Sequence, residues 1–189
     1  MSNTPADVRA LVGRIHATPT MAVVVVSGAG VRALAWLLGV PGASRTVLEA
    51  SVPYARASMV EFLGVEPAEY VSPQAAVAMA EAARRRALHL READHPEAPV
   101  VGVACTATIA TDRPKRGGHR CSVASVGPAG CSTYDLVLTK GARDRDGEEQ
   151  VVSRLVLHAL AEACELPAGL ALGLLDGERL DTARPGAGR

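Results

Sequence analysis

The sequence is poor in aromatic residues, and this scarcity limits the ligands that its surface is expected to hold by stacking. Aromatic side chains make up 3% of the 189 residues, with one tryptophan and one phenylalanine. Proteins that bind single-stranded nucleic acid use several aromatic faces as stacking platforms. The composition therefore disfavours a base-stacking or sugar-stacking surface. Alanine, valine and leucine are expected to fill the core instead.

The chain also lacks an excess of charge of either sign. Twenty basic residues are balanced by twenty acidic ones, so the formal net charge is zero. A general nucleic-acid-binding protein carries a basic surface that neutralises phosphates. The charge balance therefore predicts that nucleic acid is not a partner.

Paired cysteines and long apolar runs are missing as well. The four cysteines are widely spaced, and none forms a CxxC pair. Such spacing is typical of buried thiols in a reducing compartment, and not of disulfides or a zinc site. The first 17 residues predict an amphipathic helix and not a signal peptide. No uninterrupted apolar run is long enough to span a membrane. These absences predict a cytoplasmic protein without a metal or a membrane partner.

The hydrophobic pattern that is present predicts one α/β domain over residues 1–166. Apolar runs and helical periodicities alternate along the chain, which indicates a mixed sheet with helices on both sides. Residues 167–189 form a glycine-rich tail, expected to be loosely ordered. The tail can alternatively hold a small hairpin about Asp176 and Gly177, or be a linker to another domain. Helices are expected over 7–17, 30–38, 57–63, 73–91 and 148–164, and strands over 21–26, 45–52, 100–105, 120–126 and 132–139.

A glycine-rich turn after the valine run allows a dinucleotide-binding interpretation. Gly28, Gly30 and Ala33 follow a predicted strand with the spacing of the Rossmann fingerprint. Glu49 lies about 20 residues further on, where an acid that binds the ribose is expected. No second unit of three parallel strands is evident in the sequence, which weakens this interpretation.

Ser27 offers another interpretation of the same turn. A hydroxyl between a buried strand and a helix can face a substrate, with backbone N–H groups behind it. It can equally well cap the helix that starts near Gly30. The local sequence leaves both alternatives open.

Five motifs in order resemble those of a known enzyme family. They are VVSGAGV at 25–31, VPGAS at 40–44, YARASM at 54–59, VEFLGV at 60–65 and VS at 71–72. The spacing among the first four is kept without insertions. Over residues 21–166 the chain resembles the C-terminal domain of the competence-damage protein CinA, which is the nicotinamide-nucleotide amidase family.

The resemblance implies a three-layer αβα sandwich that needs no cofactor and hydrolyses the carboxamide of nicotinamide mononucleotide, with release of ammonia. Ser27 matches the nucleophilic serine of the family and Tyr54 its active-site tyrosine. The resemblance also makes a homo-oligomer the expected assembly. The residues that it places at the substrate are Gly28, Ala29, Gly30, Thr106, Thr108, Arg143 and Arg145, the last two as candidates for the phosphate.

The sequence departs from the family where the chemistry needs it most. The lysine that follows the tyrosine is Met59 here, and the glutamate before the serine is Val26. Methionine neither accepts nor donates a proton. Two functions therefore stay open: an amidase that uses Ser27 with Tyr54, and a catalytically silent domain that binds a nucleotide or a partner. Candidates to replace the lost groups are Lys115, Arg116 and His119.

Overall fold

The computed structural model describes residues 4–91, 95–112 and 116–185, which form one six-stranded sheet with helices on both faces. Helices α1 to α6 span Ala6–His16, Val31–Gly39, Ala43–Thr46, Arg56–Leu63, Pro73–Leu90 and Arg145–Ala163. Strands β1 to β6 span Met21–Ser27, Val47–Ser51, Val100–Thr108, His119–Gly127, Gly130–Leu138 and Arg179–Ala183.

The sheet is mixed, as the alternation of helices and strands predicted. Its strand order is β2-β1-β3-β4-β5-β6. The first three strands run parallel, and β4, β5 and β6 each pair antiparallel with the preceding strand in that order. A Rossmann fold would continue with further parallel strands. The predicted α/β fold class is confirmed, and the topology is not that of a dinucleotide-binding domain.

Strand β1 is buried on both faces because each face packs against a different helical layer. Val24 and Val26 belong to the large core cluster that also contains residues of α1, α2 and α6. Val23 and Val25 belong to a smaller cluster dominated by alanines of α5. A continuous valine run is what a strand covered on both sides requires.

The alanine-rich face of α5 lets this helix approach the sheet closely. A Cβ atom built on Gly102 of β3 would lie 2.1 Å from the carbonyl oxygen of Ala80 and 2.3 Å from the amide nitrogen of Arg84. Larger side chains on either surface would push the helix away. Helix α5 therefore covers β1, β3 and β4 tightly and reaches only part of β5.

The VPGAS motif at 40–44 forms the turn that connects α2 to α3. Gly42 has φ +109°, and a Cβ atom there would lie 3.0 Å from Cβ of His16. His16 is 1% exposed, and its Nδ1 lies 2.9 Å from Oγ1 of Thr46 in α3. Burial lowers the pKa of His16. The motif therefore joins α1 to the entrance of β2.

The C-terminal segment contributes a strand to the sheet, which corrects the expectation that it is loosely ordered. Strand β6 pairs with β5 from Arg179 to Ala183, and Leu180 packs against the large core cluster. Just before it, the carboxylate of Glu178 accepts hydrogen bonds from the backbone N–H groups of Thr139 (3.1 Å) and Leu175 (2.8 Å). The glycine-rich sequence of this tail did not indicate the short edge strand β6, because the strand depends on pairing with residues of β5 far away in the chain.

Candidate functional site

A cavity of about 210 Å³, which we call the Ser27 cavity, opens where the parallel strands β1 and β3 end. This is the edge of an open α/β sheet at which ligands bind most often. Six of the residues predicted from the sequence line it together: Ser27, Gly28, Tyr54, Thr106, Thr108 and Arg145. The other lining residues are Ala55, Arg56, Met59, Tyr70, Val71, Ala107, Ile109 and Thr111.

The Ser27 hydroxyl points across the cavity floor rather than towards the following helix. It donates a hydrogen bond to the carbonyl oxygen of Pro53 at 3.1 Å. The N-cap residue of α2 is Gly30, which has no side chain with which to cap the helix. The prediction that Ser27 caps this helix is therefore wrong.

The N-terminus of α2 is already occupied by a carboxylate of the protein itself. The Glu149 carboxylate accepts hydrogen bonds from the backbone N–H of Gly30, at 2.9 and 3.0 Å, and from that of Arg32 at 3.1 Å. A dinucleotide would place its pyrophosphate on these same N–H groups. Glu49, the candidate ribose acid, forms an ion pair with Arg86 at 2.9 Å. The dinucleotide interpretation therefore fails at its central contact.

Only the first residue of the Gly28–Ala29–Gly30 turn reaches the cavity. Gly28 has φ +84°, and a Cβ atom on it would lie 1.9 Å from the carbonyl oxygen of Ala107. Ala29 is 1% exposed and belongs to the core, while Gly30 faces Val156 and Val26. The predictions that Ala29 and Gly30 contact substrate are not supported by this geometry.

Position 59, where the resemblance to the amidase family predicts a lysine, lies at the cavity and holds a buried methionine. Met59 lines the cavity and is 2% exposed. Tyr54, by contrast, stands at the mouth with 66% of its surface exposed. Among the described residues that line the cavity, none is a lysine, a histidine or a carboxylate. The residue types that most often take the proton of a nucleophilic serine are therefore not in place among them.

The residues proposed as replacements for that lysine do not reach the cavity from the described part of the chain. His119 is 5% exposed, and its Nδ1 lies 2.7 Å from Oε1 of Glu148. The other Glu148 oxygen accepts the backbone N–H of Ala110 at 2.7 Å. Arg116 is exposed and does not line the cavity. Lys115 lies outside the described residues.

The two arginines predicted to bind phosphate lie in different places. Arg145 lines the cavity, where its guanidinium donates to the carbonyl oxygens of Ala110 at 2.8 Å and Gly28 at 3.4 Å. Arg143 is instead paired with Glu178 and the carbonyl of Gly173 near the C-terminal strand. The geometry thus separates Arg143 from the candidate site. Arg145 keeps further N–H donors beyond the two that these carbonyls engage.

Arg56 and Tyr70, which the sequence did not indicate as site residues, line the same cavity. The guanidinium carbon of Arg56 lies 5.0 Å from the centre of the Tyr70 ring, in a cation–π arrangement. Arg56 also donates to Glu66 at 3.1 Å. Hydrogen bonding and charge interaction with Tyr70, and to a smaller extent with Glu66, raise the pKa of Arg56. Two of the three tyrosines of the chain thus meet at one cavity, a concentration that the average aromatic content conceals.

Within 4–91, 95–112 and 116–185, no three histidine, cysteine or acidic side chains lie close enough together to hold a metal ion. In the same ranges no helix combines the length and the apolar character needed to cross a membrane.

The fold of this chain is similar to that of several solved structures. No protein-family model matches the chain, and neither does any curated protein sequence. The competence/damage inducible protein CihA from Agrobacterium tumefaciens is 23% identical with a TM-score of 0.56, over 87% of this chain and 96% of that one. A CinA superfamily protein from Escherichia coli is 19% identical with a TM-score of 0.58, over 86% and 92%.

A third similar structure is the competence damage-inducible protein A from Klebsiella pneumoniae, at 20% identity and a TM-score of 0.55, over 84% of this chain and 94% of that one. The identities are low, so the likeness establishes the fold and not the chemistry. The resemblance to CinA proteins is thus confirmed at the level of the three-layer α/β fold.

Proposed function

We propose that this chain is a CinA-type binding domain that holds a pyridine mononucleotide in the Ser27 cavity without hydrolysing it. One observation carries the proposal. The described part of the cavity wall contains two tyrosines and two arginines around Ser27, and no lysine, histidine or carboxylate.

The binding half of the proposal rests on the chemistry of the wall. Tyr54 and Tyr70 line the cavity, and aromatic side chains suit a planar pyridine ring. Arg56 and Arg145 supply positive charge, and a guanidinium presents a planar fork to a phosphate. A ligand with one aromatic ring and one phosphate uses both features.

The silent half rests on Met59 and on the state of Ser27. A serine becomes a nucleophile when an adjacent base removes its proton. Here the Ser27 hydroxyl donates to a backbone carbonyl, and the buried thioether of Met59 occupies the neighbouring wall. A peptide carbonyl is too weak a base to activate the hydroxyl.

The second candidate function is the amidase itself, favoured by the shared location of Ser27 and Tyr54. Both side chains line one cavity, as the resemblance to the amidase family implies they should. In this alternative the chain converts nicotinamide mononucleotide to nicotinate mononucleotide and ammonia. A homo-oligomer in the cytoplasm remains our prediction for either function.

One experiment separates the two candidates. The full chain is titrated with nicotinamide mononucleotide in a calorimeter, and ammonia is measured in parallel after long incubation. We expect saturable binding without ammonia release, and an affinity that Ser27→Ala leaves within about threefold because the hydroxyl makes no charged contact. Ammonia release that disappears in Ser27→Ala would establish the amidase instead. Absence of both binding and release would reject both candidates.

A gain-of-function variant sharpens the test. Met59→Lys restores the residue type that the amidase family carries, and Met59→Leu is the matched control that keeps the wall apolar. If Met59 alone blocks chemistry, Met59→Lys should raise ammonia release by about 100-fold or more over background, the usual contribution of a general base. Equal background rates in both variants would show that more than the lysine has been lost.

A further inference from the structure

A second cavity lies beside the sheet, where helix α5 leaves strands β5 and β6 uncovered. It has a volume of about 520 Å³ and is bounded on one side by the segment between α4 and α5. We call it the β5 groove. This volume falls within the range of roughly 300–1,000 Å³ that is typical of small-molecule sites.

The floor of the β5 groove is a row of polar side chains from three neighbouring strands. Asp135 in the centre is paired in register with Ser122 of β4 on one side and with Asp181 of β6 on the other. All three line the groove. Carboxylates directly opposite each other on neighbouring strands repel, so this arrangement is destabilising without a compensating cation.

The protein compensates one of these two carboxylates and not the other. Asp181 accepts a hydrogen bond from Arg179 at 2.7 Å. The remaining arginine of the groove, Arg120, is 3.6 Å from Glu69 and donates to the carbonyl of Val71. Oδ1 of Asp135 is buried without a hydrogen-bond partner, so Oδ2 is the oxygen through which this half-buried carboxylate meets the groove. The described residues form no ion pair with it.

Exposed apolar side chains surround this carboxylate. Val137 is 43% exposed on the floor, and Val65 is 64% exposed on the opposite wall. Leu63 and Ala78 continue that wall. An apolar body would be removed from water by these side chains, at a gain of about 25 cal/mol for each Å² that it buries.

We propose that the β5 groove binds a small molecule with a protonated amine and an apolar body. The ammonium contacts Oδ2 of Asp135 and neutralises this carboxylate, and the apolar part lies between Val65 and Val137. The site is separate from the Ser27 cavity, so the proposal stands whether or not that cavity binds a nucleotide.

The test uses hexylamine as a probe, with hexanol and hexanoate as uncharged and anionic molecules of the same chain length. Backbone amide chemical shifts of the full chain are followed during each titration. We expect saturable shifts with hexylamine on β4, β5 and β6, with a dissociation constant of roughly 1 mM for so small a ligand. Hexanol and hexanoate should bind at least about tenfold more weakly, because they lack the ionic contact.

Three variants locate the contact. Asp135→Asn should weaken hexylamine binding about tenfold or more, and Asp176→Asn, which removes an exposed carboxylate outside the groove, should leave it unchanged. Ala78→Trp on the exposed wall of α5 should fill the groove and abolish binding, which keeps a test available if Asp135→Asn does not fold. Equal binding of hexanol and hexylamine, equal effects of the two aspartate variants, or no saturation up to about 20 mM hexylamine would each overturn the proposal.

Discussion

The Ser27 cavity and the β5 groove are neighbours that the sheet builds in different ways. Val71 lines both, so one short segment separates them. The Ser27 cavity is formed at the ends of parallel strands, where loops converge, and arginines are its charged groups. The β5 groove is formed on the face of antiparallel strands, and its unpaired charge is a carboxylate. Strand direction thus decides whether a cavity is bounded by loops or by a row of side chains.

The difference also shows how each cavity depends on the rest of the molecule. Side chains from the first five residues of α6 hold the Ser27 cavity together. Arg145 donates hydrogen bonds to the carbonyl oxygens of Ala110 and Gly28. The carboxylate of Glu148 accepts one from the N–H of Ala110, and that of Glu149 accepts one from the N–H of Gly30 at the start of α2. The β5 groove depends instead on strand β6, which supplies Arg179 and Asp181. Each of the following changes should affect one cavity and spare the other.

Gly28→Ala should have the largest effect, and it should be confined to the Ser27 cavity and to overall stability. The new Cβ atom would clash with the Ala107 carbonyl at a positive φ, so we expect a loss of about 3 kcal/mol or more in the free energy of unfolding. Urea denaturation measures this loss. The control is Gly177→Ala, also at positive φ, where the nearest atom is 3.7 Å away and the cost should be about 1 kcal/mol. Equal losses in the two variants would contradict the close contact.

Removal of β6 should destroy the β5 groove and leave the Ser27 cavity. A chain that ends at residue 177 loses the Leu180 contact with the core and the partner of Arg143. We expect a loss of stability of about 2 kcal/mol or more, no hexylamine binding, and nucleotide binding unchanged within about threefold. A chain that ends at residue 185 keeps β6 and should match the full chain in all three measurements. Loss of nucleotide binding in the folded short chain would show that the cavities are coupled.

Arg145→Met should weaken binding of nicotinamide mononucleotide by about tenfold or more, the usual range for a lost charged hydrogen bond. Calorimetry on the folded variant gives the affinity. Arg143→Met is the matched comparison, because Arg143 pairs with Glu178 away from the cavity. It should lower the melting temperature and leave the affinity intact. The reverse result, with Arg143 controlling affinity, would restore the prediction made from the sequence.

The smallest effect is expected from Asp135→Asn on nucleotide binding. Asp135 lines the β5 groove and not the Ser27 cavity, so the affinity for the nucleotide should change by less than about twofold. The same calorimetric titration as for Arg145→Met provides the value. A larger change would mean that the two cavities are coupled, with the segment around Val71 as the connection between them.

Local patterns predicted the elements of the fold well, because most strands and helices carry their own periodicity. The uninterrupted valines of β1 and the capping Ser72 before α5 are cases of this kind; Ser72 Oγ accepts the N–H of Ala75 at 3.1 Å. The sequence failed where pairing depends on distant residues. Strand β3 continues through Thr108 because β4 pairs with it there, so Thr106 and Thr108 lie on a strand that extends beyond its predicted end at residue 105.

The candidate site was predictable in part for the same reason. Ser27, Tyr54 and Met59 fall in motifs that keep their spacing, and all three line one cavity. Arg56 lies within the YARASM motif, but the resemblance assigns it no role, and Tyr70 lies outside the motifs. Only folding places the Tyr70 ring beside Arg56. The glycine fingerprint misled because Glu149, more than a hundred residues away, occupies the helix end that it would offer to a phosphate.

By itself the sequence determined the fold class, the position of Ser27 at the end of a buried strand, and the methionine at position 59, where the family that it resembles carries lysine. These depend on residue types and on spacing along the chain, which a linear pattern records. The tertiary structure decided which groups share a cavity, that Glu149 closes the end of α2, and that β6 completes the sheet beside an unpaired Asp135. Contacts of this kind join residues far apart in the chain, and their geometry exists only once the sheet has formed.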